Sequence, residues 1–111
     1  MPYYVYIIFS PSADKYYVGH TDSVIRRLSE HNHPIRTKYT SKHKPWELKW
    51  FFEVSDQRSD AMMVEKYIKR QKSKQYIQEL IKNKKQQEKL FNWLESRCIG
   101  INQGVVGSSP T

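Results

Sequence analysis

The stretch "YYVYIIFSPSADKYYVG", residues 3–19, decides the fold. Tyr3 to Phe9 is apolar or aromatic at every position, the pattern of a strand covered on both faces rather than one with a wet side. "SPSADK" is a cluster of turn formers, and Tyr16 to Gly19 returns to β character. The two runs predict a hairpin with a loop of about six residues, its first strand central in a sheet. Period two puts Tyr4, Tyr6 and Ile8 on one face. Five of the eight tyrosines fall in this stretch. A buried hydroxyl needs a partner where Phe would not, so either the rings are there as strand formers or some of the oxygens are used.

Beyond the hairpin, Thr21 or Asp22 can cap a helix from Ser23 to about Asn32, with Val24, Ile25 and Leu28 as its apolar face. Arg27 and His31, one turn apart, lie on a margin of that face, while Arg26 and Glu30 point away. The segment "HPIRTKYTSKHKP", residues 33–45, holds Arg36, Lys38, Lys42 and Lys44 with no acid. It reads as a basic loop. "ELKWFFEV" then alternates as a third strand, with Leu48, Trp50, Phe52 and Val54 on one face. Ser59 or Asp60 caps a helix through about Gln71 whose buried stripe is Ala61, Val64 and Ile68. Glu65 falls on the edge of that stripe, where a carboxylate needs a reason. Two further helical patterns follow, one opened by Ser73 and one built on Leu90, Phe91, Trp93 and Leu94. The ending "GINQGVVGSSPT" has no long period and is expected to be disordered.

A chain of 111 residues supports one core. Nineteen Lys+Arg against eleven Asp+Glu give a net charge of +8, which favours a polyanionic partner over a merely solvated basic surface. Much of the excess sits on the C-terminal helices, where it reads first as their wet faces. No run is long enough to span a bilayer and no signal-peptide pattern opens the chain, so a cytoplasmic protein is expected. Cys98 is the only cysteine, which excludes an internal disulfide and a thiolate zinc cluster.

"YVY" at 4–6 and "YVG" at 17–19, followed by "SVIRRLSEH", "KYTSKHKP" and "AMMVEKYIK", resemble in order and spacing the small single-domain members of the GIY-YIG nuclease family. Each half-motif is short; five elements in order make the resemblance specific. It covers about residues 2–82, leaving 83–97 as a helical extension. The resemblance implies an α/β (α+β) domain, a three-stranded antiparallel sheet flanked by helices. It also implies hydrolysis of DNA with one divalent ion, Mg²⁺ or Mn²⁺. Carried over by position, Tyr6 and Tyr17 match the motif tyrosines, Arg27 the helix arginine, His31 the position one turn later, and Glu65 the metal-binding glutamate. His20 stands where several family members carry lysine.

The chemistry asks for these residue types. Attack on a phosphodiester needs a deprotonated water, a cation beside the developing charge and help for the leaving oxygen. Mg²⁺ keeps much of its water and takes one or two carboxylates, so Glu65 alone suffices as its anchor. Arg27 suits a phosphate through its planar donor fork. A free phenol, with a pKa of about 10, is a weak base at neutral pH, so Tyr17 is expected to work with His31 as a proton relay. His20, Arg36, Lys38, Tyr39, Lys42 and Lys44 are candidate nucleic-acid contacts. Trp46 and Trp50 read as core or boundary residues with base stacking as the alternative. Tyr3, Tyr4 and Tyr16 read as packing residues.

Three functions compete on these grounds. The first is a metal-dependent DNA endonuclease or nickase acting on branched, damaged or single-stranded DNA in repair or recombination. The second is a nucleic-acid-binding module of the same fold without cutting activity. The third treats the helical C-terminal half as a protein-interaction surface.

Overall fold

Pairing of the hairpin with a third strand builds the centre of the molecule, in a computed structural model that describes residues 1–32, 45–96 and the backbone of 106–107. β1 (Tyr3–Ser10) runs antiparallel to β2 (Lys15–Thr21) on one side and to β3 (Glu47–Ser55) on the other. β1 is therefore central, as its unbroken apolar run requires. The turn spans four residues rather than about six, because the ladder extends to Ser10 and Lys15. Asp14 closes it in the left-handed region at φ 52°, and Ser10 Oγ accepts from Ala13 N–H at 3.3 Å. A two-residue strand, β4 (Val106–Gly107), joins the outer edge of β3 and completes the order β2-β1-β3-β4. It lies within the tail whose sequence predicts disorder; the residues around it lie outside those described.

Helix α1 (Val24–Asn32) covers one face of the sheet, and α2 (Arg58–Arg70), α3 (Lys74–Lys82) and α4 (Lys84–Ser96) cover the other. On the α2 side Val5, Ile7, Trp50, Phe52 and Val54 meet Ala61, Val64 and Ile68, the stripe expected from the helical period. Leu80, Leu90 and Leu94 join the same cluster, so the C-terminal helices share the main core. On the α1 side Tyr6, Ile8 and Trp46 pack with Tyr17, Val24 and Leu28. Among the described residues no helix is long and apolar enough to cross a membrane.

Three local expectations change. Leu48 faces the α1 side, opposite to Trp50, because the β1–β3 register steps from Ile7↔Trp50 to Ile8↔Leu48 and skips Lys49. This β-bulge inverts the alternation that the sequence alone implies. Ile25 is 85% exposed, since Val24 and Leu28, four residues apart, already fill the contact with the sheet. The caps also shift. Ser23 Oγ, rather than Thr21 or Asp22, accepts from Arg26 N–H, while Thr21 Oγ1 braces the turn before it. α2 starts after Gln57 with no side-chain cap, and Asp60 instead accepts from Ser55 at 2.7 Å. Ser73 caps α3 as expected, accepting from Tyr76 N–H.

Gly19 pairs directly with Tyr6 across the β1–β2 ladder, and the phenol lies flat over it. A Cβ at position 19 would sit 2.5 Å from the Tyr6 hydroxyl oxygen and 2.7 Å from Cζ. The glycine of "YVG" is thus required by close approach rather than by backbone conformation, as no described glycine has a positive φ. Gly19→Ala overpacks this contact and lowers stability by about 1–3 kcal/mol in urea unfolding. An unchanged midpoint would mean that the ring moves aside freely.

Candidate active site

Tyr6 is the hub of the site. Its ring is 1% exposed, and its hydroxyl makes a 2.7 Å hydrogen bond to His31 Nε2, joining the central strand to the last turn of α1. Arg27, one turn earlier on the same helix, lies beside the Tyr6 hydroxyl and favours its ionised form. His31 Nδ1 is buried without a partner among the described residues. Burial holds the Tyr6 phenol well above its ordinary pKa; Arg27 opposes this, and the charges of Tyr17 and Glu65 add to it. The pKa of the Arg27 guanidinium is raised by Tyr6, with burial opposing and Glu30 at 3.1 Å assisting. Arg27 Nε is buried and has no partner among the described residues.

Tyr17 reaches the same centre from β2. Its ring centroid lies 6.4 Å from that of Tyr6, 4.9 Å from His31 edge-on, and 6.2 Å from Trp46. Trp46 is 3% exposed and Trp50 1%, so both are core residues and the base-stacking alternative falls away. Asn32 holds Trp46 through both backbone groups, accepting from its N–H at 2.6 Å and donating to its carbonyl at 3.1 Å. That pair ties together the two ends of the segment carrying Arg36, Lys38, Tyr39, Lys42 and Lys44, which itself lies outside the described residues, as do His33, His43 and Cys98.

Glu65 comes from α2, whose partly buried margin runs beside β2. One oxygen, Oε1, is 2.8 Å from His20 Nδ1; the other, Oε2, is 2.9 Å from Lys69 Nζ. Lys69 also places its ammonium 5.6 Å from the centre of the Tyr17 ring, so it spans the carboxylate and the phenol. His20 therefore sits on β2 and pairs with Glu65. The Glu65–Lys69 pair follows from i,i+4 spacing; the Glu65–His20 pair joins residues 45 apart and has no local signal.

The structure also changes the partner of His31. A Tyr17–His31 relay requires an imidazole that accepts protons near neutral pH. Burial instead pushes His31 down to about 4, with Arg27 adding to the shift and Glu30 opposing it, and its Nε2 is already hydrogen-bonded to Tyr6. Among the described residues no group of three or more His, Cys, Asp or Glu could enclose a metal. An ion at Glu65 would take one protein carboxylate and fill its remaining positions with water or substrate oxygens, which suits Mg²⁺.

A depressed histidine pKa means that the unfolded chain binds its proton first. Stability is therefore complete above pH 6.5 and falls as pH drops toward 4, by about 3 kcal/mol over that window from this residue. His31→Gln should flatten the loss when denaturant midpoints are compared at pH 7 and pH 4.5. Equal pH dependence in both proteins would show that the imidazole is not held neutral.

A family model, the GIY-YIG catalytic domain, matches residues 2–89. A UPF0213 protein of Listeria monocytogenes is 34% identical over 83 residues, covering 75% of this chain and 91% of that protein. Another from the same species is 38% identical over 65 residues, covering 59% and 72%. A UPF0213 protein of Haloquadratum walsbyi is 40% identical over 80 residues, covering 69% and 88%. With the three-stranded core, the flanking helices and the two tyrosine half-motifs meeting at one centre, the chain belongs to the GIY-YIG family, whose catalytic domain is of nuclease type.

Proposed function

We propose that this protein is a divalent-metal-dependent endonuclease or nickase acting on DNA, with Tyr6, Tyr17, Arg27, His31 and Glu65 as its working residues. The observation that carries the reading is the convergence on Tyr6 of groups from three elements. Tyr17 comes from β2, Arg27 and His31 from α1, and the Glu65 charge from α2. A structural role alone does not require a buried guanidinium nitrogen and a buried imidazole nitrogen left without partners.

In this reading Arg27 takes a non-bridging oxygen of the scissile phosphate through the terminal guanidinium donors that Glu30 does not engage. Tyr17, in its phenolate form, accepts the proton of the attacking water, whose oxygen forms the new bond to phosphorus while the ester oxygen departs and takes a proton from solvent. Tyr6 and His31 hold Arg27 and the Tyr17 ring in place. Glu65 would hold Mg²⁺ or Mn²⁺, and such an ion neutralises phosphate charge and eases loss of the water proton. Lys69, already between Glu65 and Tyr17, is placed to follow the charge as it moves to the departing oxygen. A basic chain favours a DNA partner, and a role in repair or recombination accords with a small nuclease domain.

A second reading has its own observation. Both oxygens of Glu65 and one arm of Arg27 are already paired, a self-satisfied state that suits a DNA-binding module without cutting activity. Supercoiled plasmid with Mg²⁺ or Mn²⁺ separates the two. The nuclease reading expects nicking that falls by about 10²–10³ in both Glu65→Gln and Arg27→Ala. Absence of nicking on plasmid, flap, junction and single-stranded DNA alike would favour the binding module.

A further inference from the structure

The two oxygens of Glu65 are engaged by groups of different kinds. Oε2 is 2.9 Å from Lys69 Nζ, an ammonium with no lone pair, while Oε1 is 2.8 Å from Nδ1 of His20. Lys69 already supplies the positive charge that a half-buried carboxylate needs, so neutralisation alone does not call for a second partner at Oε1. Imidazole differs from ammonium in one respect. A ring nitrogen that donates a hydrogen bond becomes a metal ligand once its hydrogen is on the other nitrogen. Of the two groups that hold Glu65, only His20 has this second capacity.

Access and spacing fit that capacity. The His20 and Glu65 side chains are 23% and 19% exposed, open enough for an ion and its waters, whereas His31 is 2% exposed and bonded to Tyr6. His20 reaches from β2 toward α2 and is shared by two cavities. One, of about 370 Å³, is lined also by Glu65, Met62 and Met63. The other, of about 280 Å³, is lined by Arg26, Arg27 and Arg58. His20 thus stands between the carboxylate and the guanidinium that the nuclease reading gives to the phosphate. Two ligand atoms at right angles on one ion, each about 2.1 Å from it, lie about 3.0 Å apart. The 2.8 Å between Nδ1 and Oε1 is close to this, so a small movement lets both atoms reach one octahedral ion.

We propose that His20 is a second protein ligand of the divalent ion held by Glu65, and that it turns the site toward Mn²⁺ and other nitrogen-accepting ions over Mg²⁺. The proposal rests on the reading that Glu65 holds the ion, and it names which ion. One of the positions that a single-carboxylate site leaves to water passes to Nδ1. In the neutral ring the hydrogen moves from Nδ1 to Nε2 by exchange with water. The ion takes the place of that hydrogen between the two residues, and Lys69 keeps Oε2. Mg²⁺ gains little from such a ligand, because it takes hard oxygens and parts with water reluctantly. The later first-row ions gain more, in the order Mn²⁺, Co²⁺, Ni²⁺.

The test uses the full chain without DNA. Calorimetric titration should give Mn²⁺ and Co²⁺ affinities that fall by about tenfold or more in His20→Asn, while Mg²⁺ affinity changes by no more than about twofold. Asparagine places an amide donor near the position of Nδ1, so it keeps the hydrogen bond to Oε1 without the nitrogen lone pair. A second measurement needs no variant. In imidazole nitrogen NMR spectra of the wild type, Zn²⁺, a diamagnetic ion that accepts imidazole, should move the His20 Nδ1 signal to the range of a coordinated nitrogen and leave Nε2 protonated. Equal losses for all three ions, no Mn²⁺ binding, an Nδ1 signal that stays uncoordinated, or Zn²⁺ shifts confined to other histidines would overturn the assignment. Plasmid nicking with Mg²⁺ that is lost in Glu65→Gln would still stand in that case. Conversely, His20-dependent Mn²⁺ binding by a protein that never cuts would support the ligand and sink the nuclease reading.

Discussion

The hydrogen bond between the Tyr6 hydroxyl and His31 Nε2, buried and 2.7 Å long, is the interaction on which the remaining geometry depends. It crosses from the central strand to the last turn of α1 and so fixes both the depth and the rotation of that helix. Rotation of α1 decides whether Arg27, one turn before His31, reaches the centre or solvent. The bond exists only because Gly19 leaves room for the phenol to lie across β2. A tyrosine, a glycine and a histidine far apart in sequence are thus parts of one constraint. Burial favours the neutral form of both partners.

β2 contributes the second constraint. As an edge strand it offers side chains to both layers, Tyr17 toward α1 and His20 toward α2, and Glu65 reaches His20 from the α2 side. A carboxylate expected to hold a cation is thereby paired in advance with two protein donors, His20 and Lys69. Such pairing offsets the desolvation cost of a half-buried charge, and it means an incoming ion must displace a donor rather than fill an empty space. The preference for Tyr over Phe in the opening stretch follows the same division. Tyr3 and Tyr16 pack against the core and Tyr4 meets Phe51 edge-on at 6.3 Å, whereas the Tyr6 and Tyr17 rings meet at the shared centre.

The sheet, its central strand and the buried stripe of α2 were legible because period two and period 3.6 are imposed by burial along each element. Arg27, His31 and Glu65 were legible as margin residues for the same reason. The Leu48 inversion was not, because a bulge depends on how β3 meets β1 and leaves no mark in the local alternation. Nor were the partners: Tyr6 with His31 and His20 with Glu65 are long-range contacts, set by tertiary packing. The hydrogen-bond partner of His31 was not legible for the same reason, since spacing places a histidine near a tyrosine but does not say which of two phenols it bonds or how far burial lowers its basicity. The last helix, left beyond the resemblance as an extension, supplies Leu90 and Leu94 to the main core.

The central claim is that Tyr6, Tyr17 and Arg27 surround the place where Glu65 would hold a divalent ion. Paramagnetic relaxation by Mn²⁺, followed in NMR spectra of the full chain, tests it most directly. A shared pocket predicts that substoichiometric Mn²⁺ broadens the Tyr17, His20 and Arg27 side-chain signals first, and that Glu65→Gln abolishes the selective broadening. Broadening centred on another acidic residue, or unchanged by Glu65→Gln, would contradict it.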